Sequence, residues 1–237
     1  CSGLQPLPET IGEDVLEAIA VARATTGVDI VALSATYNMI HPDKAVRAEG
    51  LTRLGRIIRA AADLRIPLVT LCTGTRDPDN QWRHHPDNET STAWTDLLGE
   101  MRKAAALAET HNVQLGIEPE QANVVRDAGD AARLIRDIPS DMLRIVLDPA
   151  NLFEKATPDE ARRIIAGAID RLAGRIALAH AKDRDGDGNF VTVGHGIVDF
   201  PDLMAQLEKA GFRGAVVTHG LSEAEAPEVS RFLKGLA

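Results

Sequence analysis

Six apolar runs rich in β-branched residues recur along the chain, and four of them end on a metal-ligand type: Glu118, Asp148, His180 and His219. These four runs cover 113–118, 143–148, 176–180 and 215–219, and the other two cover 28–34 and 68–73. Stretches with apolar residues at helical spacing lie between them, and strict strand–helix alternation implies a parallel sheet. In an α/β barrel every strand points its C-terminal end at one face, so residues about thirty positions apart in sequence meet in one pocket. The pattern predicts a barrel with four ligands for one divalent cation.

The intervening helices are legible. Residues 45–64 place Val46, Leu54, Ile57, Ile58 and Ala61 at helical spacing, and 93–110 do the same with Leu97, Met101, Ala104, Ala105 and Ala108. Thr157, Pro158 and Glu160 supply an N-cap, a first-turn proline and a capping-box acid ahead of Ile164, Ile165, Ala168 and Leu172. Pro201 opens a further helix, and Val15, Ile19 and Ala22 mark one near the start. Six strands are two short of closure. We expect a single domain over residues 1–237, a TIM (β/α)8-type barrel lacking its first two strands in this sequence. The open edges would be covered by the N-terminal segment or by a second copy in a homo-oligomer.

With 237 residues, 44% hydrophobic and only 3% aromatic, the core must be built from Ala, Val, Ile and Leu. A net charge of −9 argues against nucleic acid as a partner, because phosphate backbones call for a surplus of Lys and Arg. Two cysteines, Cys1 and Cys72, make no disulfide framework and suit a reducing cytoplasm, where we expect the protein. No run approaches the roughly 18 apolar residues of a membrane span, so no membrane association is expected.

Four segments carry a resemblance: Ile117-Glu118-Pro119-Glu120, Leu147-Asp148-Pro149-Ala150-Asn151, His180-Ala181-Lys182-Asp183 and Gly194-His195-Gly196-Ile197-Val198-Asp199-Phe200. Their ordered set resembles the sugar phosphate isomerase/epimerase family, the xylose isomerase-like barrels, over essentially the whole chain. The resemblance implies metal ligands at the ends of the family's fifth to eighth strands. Glu118, Asp148 and His180 match, and His219 stands where the family usually has Glu. It further implies that Glu118 and His219 flank a small carbohydrate or hydroxy-carbonyl substrate. Between them they would pass a proton next to a carbonyl, while the cation stabilises the enediolate. Carboxylate and imidazole ligands suit Mn2+, Zn2+, Co2+ or Mg2+. Asn151 replaces a common His and can hydrogen-bond a sugar hydroxyl but carry no proton. A metal-dependent lyase, dehydratase or hydrolase on the same barrel, or a non-catalytic binding protein, is the alternative.

Further pocket candidates follow strand ends. Asn38 and His41 follow the first run as substrate contacts or as loop and N-cap residues, and Arg76 follows the second as an anion contact. Trp82 offers an apolar wall, with His84 and His85 more naturally at the surface than on a metal. Glu120 lies two residues beyond Glu118 and so faces the same way in an extended segment. Lys182 is expected to bind substrate oxygen or phosphate, and Asp183 to touch substrate or orient a ligand histidine or its neighbour. The 183–188 acidic turn lacks the closing Glu of a calcium loop, and Gly194-His195-Gly196 lacks the third glycine of a dinucleotide fingerprint.

Overall fold

The computed structural model describes residues 7–218 and 220–236. Six strands form one parallel sheet in chain order: β1 (Leu33–Ser34), β2 (Leu68–Leu71), β3 (Gln114–Ile117), β4 (Leu143–Leu147), β5 (Ile176–Ala181) and β6 (Ala215–Thr218). Around it run α1 (Glu13–Thr26), α2 (Lys44–Asp63), α3 (Ser91–His111), α4 (Ala128–Asp137), α5 (Pro158–Leu172), α6 (Phe200–Lys209) and α7 (Ala226–Lys234). This is the architecture of a TIM-type barrel with six strands among the described residues, and β1 and β6 are its edges.

Two large clusters fill the space between sheet and helices. One joins α2, α3 and α4 to β2, β3 and β4 through Leu54, Ile58, Leu97, Met101, Leu115 and Leu134. The other joins α5, α6 and α7 to β4 and β5 through Ile165, Ile169, Leu147, Ala179, Phe200 and Leu203. A small third cluster, Leu68, Val146 and Leu178, lies on the concave side. Gly116 belongs to that layer, for a Cβ there would stand 2.8 Å from Val146 Cγ2 and 3.2 Å from Leu68 Cδ1. The inward residues of β3, β4 and β5 are therefore Gly116, Val146 and Leu178.

Helix starts follow the sequence closely. Thr157 and Glu160 form the expected capping box of α5, and Asp43 and Thr90 cap α2 and α3 by accepting from Ala45 N and Ala93 N. The first strand is shorter than the run 28–34. Leu33 pairs with Val69 and the partner strand begins only at Leu68, behind Pro67, which has no N–H to donate. Val28 and Val31 are consequently exposed. The structure adds α4 and α7, short helices the apolar spacing did not announce, and Asp127 starts α4 by accepting from Gly129 N and Asp130 N. The long segment 182–198 contains an antiparallel hairpin, Asp183–Arg184 against Phe190–Val191.

Candidate metal centre

Because side chains two apart on a strand share a face, the inward layer dictates what lies above it. Gly116 puts Glu118 inward, Val146 puts Asp148 inward and Leu178 puts His180 inward. Their ligand atoms all lie within 4.8 Å of one another. His180 Nδ1 stands 3.2 Å from Asp148 Oδ2 and 3.4 Å from Glu118 Oε1. Two ligands each about 2.1 Å from one ion, at octahedral to tetrahedral angles, stand roughly 3.0–3.5 Å apart. Two carboxylates and an imidazole at this spacing fit one divalent ion. His219, expected as fourth ligand and second proton-transfer group, lies outside the described residues, as does Cys1.

The electrostatics suit a cation. Asp148 is buried, with Lys182 Nζ 3.8 Å from its Oδ2. Burial depresses the His180 imidazole, but hydrogen bonds to Asp148 and Glu118 outweigh it and push it up to about 9, so that an imidazolium compensates the two carboxylates. Glu120, two residues past Glu118, is pushed up to about 7, first by burial and then by the charge of Glu118. The thiol of Cys72, at the end of β2, is raised by burial and then by Glu118 and Glu120. An acid-rich pocket of this kind favours a bound positive charge.

A cleft of about 680 Å³ lies beside this group, lined by Trp82, Glu120, Asn151, Lys155 and Arg184 among others but by none of the three ligand-type residues themselves. It joins the centre through Asn151, whose Nδ2 donates to Glu118 Oε1 at 2.8 Å. A larger cleft of about 740 Å³ lies beside α2 and holds Asn38 and His41 but none of the three ligand-type residues. Asn80 and Trp82 line both. Of the two, the smaller cleft is the one whose lining includes a residue bonded to the ligand-type group, Asn151.

Four expected substrate contacts have their polar atoms engaged by the protein. Asn38 donates to Thr75 O at 2.8 Å and accepts from Thr75 N at 3.0 Å, tying the loops after β1 and β2. His41 accepts from Asp43 N at 3.0 Å, with its Nε2 3.0 Å from Pro78 O. Arg76 pairs with Asp96 on α3 at 2.7 Å and donates to Ile40 O. Asp183 faces away from the centre because the alternation that turns His180 and Lys182 inward turns Ala181 and Asp183 outward. Its carboxylate accepts from the backbone N–H of Arg184, Gly194, Gly196 and Val198 at 2.8–3.1 Å. His84, His85 and His195 stand outside the ligand group. The chain from Lys182 through Asn151 to Glu118 is not announced by the sequence; the i, i+2 spacing of His180 and Lys182 signals only that the two share a face.

Residues 2–236 match the xylose isomerase-like TIM barrel family. The chain belongs to that family. Among relatives of this xylose isomerase-like barrel, L-ribulose-5-phosphate 3-epimerase UlaE of Salmonella paratyphi C is 26% identical over 216 residues, 89% of this chain and 71% of that protein. The crystal structure of a D-tagatose 3-epimerase-like protein superposes with a TM-score of 0.76 at 17% identity, covering 95% of this chain and 83% of that one. A xylose isomerase-like TIM barrel protein from Mycobacterium smegmatis, solved with magnesium, gives 0.71 at 16% identity over 96% of this chain and 79% of its own.

Proposed function

We propose that this protein is a divalent-metal-dependent epimerase or isomerase of small ketoses, free or phosphorylated, that moves a proton on the carbon next to a carbonyl. The observation that carries the reading is the convergence of Glu118, Asp148 and His180, from three successive strands, beside a cleft large enough for a sugar whose wall residue Asn151 bonds to Glu118. The L-ribulose-5-phosphate 3-epimerase similarity over 89% of the chain supports the substrate class. Glu118, Asp148, His180 and His219 would hold the ion, which when bound supplies Lewis-acid polarisation of the substrate carbonyl.

The chain's own residues divide the remaining work. Glu118, anchored through Oε1 by Asn151, accepts the proton from the substrate carbon, with His219 as the second proton-transfer group. Trp82 and Glu120 form walls of the cleft, and Glu120 presents a carboxyl close to neutral as a hydrogen-bonding group for substrate hydroxyls. The test is incorporation of solvent deuterium into ketoses and ketose 5-phosphates by the Mn2+-loaded chain. Exchange at the carbon beside the carbonyl is expected. A chain that binds metal yet exchanges none of the panel would be a lyase or a binding protein on this barrel.

A further inference from the structure

We propose that Lys182 is a positioning residue, whose ammonium fixes the direction of the Asn151 amide and thereby the direction of Glu118. The inference rests on the reading of Glu118 as the proton-transfer group. Lys182 Nζ donates to Asn151 Oδ1 at 2.9 Å, and Asn151 Nδ2 donates to Glu118 Oε1 at 2.8 Å. An ammonium has three donors and no acceptor, so it accommodates only the oxygen end of the amide. The nitrogen end is thereby forced toward the carboxylate. In the opposite orientation the amide would set N–H against ammonium and oxygen against carboxylate, replacing two charge-assisted hydrogen bonds with two repulsions.

Lys182 is itself held. Its Nζ lies 3.9 Å from the Phe190 ring centroid and 3.8 Å from Asp148 Oδ2. Phe190 sits on the hairpin whose base, Asp183, is buried beneath four backbone N–H groups. The hairpin after β5 thus aims a donor-only group at the loop after β4, and that loop aims a donor at the residue ending β3. Held in this way, Glu118 Oε1 stands 3.4 Å from His180 Nδ1. Asn151, where the family commonly has His, is an intermediary that takes its polarity from Lys182.

The test is a double-mutant cycle with a second readout independent of turnover. Lys182→Met and Asn151→Ala should each lower kcat for deuterium exchange roughly 10–100-fold, the usual effect of removing a partner of a ligating carboxylate, with KM nearly unchanged. The double variant should be no worse than Asn151→Ala alone. Lys182→Arg, still donor-only, should retain most of kcat, and Lys182→Gln, which accepts as well as donates, should not. Additive losses, a change confined to KM, or equal behaviour of Arg and Gln would overturn the inference. In the metal-free chain, the side-chain amide NMR signals of Asn151 should shift and exchange faster with water in Lys182→Met. Unchanged signals would overturn the positioning role even if no substrate were turned over, whereas absence of exchange in the parent chain alone sinks only the proposed function.

Discussion

At the scale of single residues, the centre depends on which side of the strand each group emerges. Glu118 combines ligation with proton transfer in the proposed function, and the two roles separate under Glu118→Gln. An amide oxygen still coordinates but takes no proton, so exchange should vanish while part of the metal affinity survives in calorimetric titration. Metal affinity lost in full would instead make Glu118 purely a ligand. Asp183 gives a contrasting case. Removing a buried carboxylate that serves four backbone donors leaves them without a partner, so Asp183→Ala should cost on the order of 3 kcal/mol in denaturant unfolding and deprotect the amides of 194–198 in hydrogen exchange. Gly196 belongs to the same knot: a Cβ there would stand 2.3 Å from Asp183 Oδ1.

At the scale of elements, the loops after the strands are tied to helices by charged side chains. Glu225, at the start of α7, accepts from Ser222 N at 2.8 Å and Ser222 Oγ at 2.5 Å and from the Thr192 hydroxyl, linking α7 to the segment beyond the hairpin. These bonds, the Ser222 hydroxyl first, lower its carboxyl to about 2, below the ordinary glutamate range. A depressed carboxyl stabilises the fold fully above its unfolded value and loses that contribution as pH falls. Thermal unfolding should therefore show Glu225→Gln less stable than the parent at pH 6, with the gap closing between about pH 4.5 and pH 2. A gap that persisted at pH 2 would place the effect in packing.

At the scale of the whole molecule, the proposed metal binding should act on stability because Glu118, Asp148 and His180 come from three strands that only the folded sheet brings together. A ligand that binds the native state alone contributes about 2.7 kcal/mol at one hundred times its Kd. For a chain of this size that corresponds to a rise in Tm of roughly 5–10 °C. Saturating Mn2+ should produce such a rise and a chelator should reverse it. Asp148→Asn, which keeps the side-chain shape and the bond from Ala150 N, should abolish most of it. An equal rise in that variant would place the metal elsewhere.

The alternation of apolar runs with helical stretches, the capping box at Thr157 and the strand-end positions of Glu118, Asp148 and His180 were determined by local chemistry, and all are legible in the sequence. Period and punctuation are local properties, and the parallel barrel converts a position along a strand into a position in space. What only the tertiary structure decided is which polar groups face one another. Asn38, His41 and Arg76 follow strand ends just as Glu118, Asp148 and His180 do, yet the folded chain engages their polar atoms in joining loops and helices. Asp183 and Lys182 are neighbours in sequence, but one faces backbone amides and the other reaches Asn151, because adjacent extended residues point to opposite sides. The link from Lys182 to Glu118 joins residues from three different strand ends, and no spacing along the chain encodes that meeting.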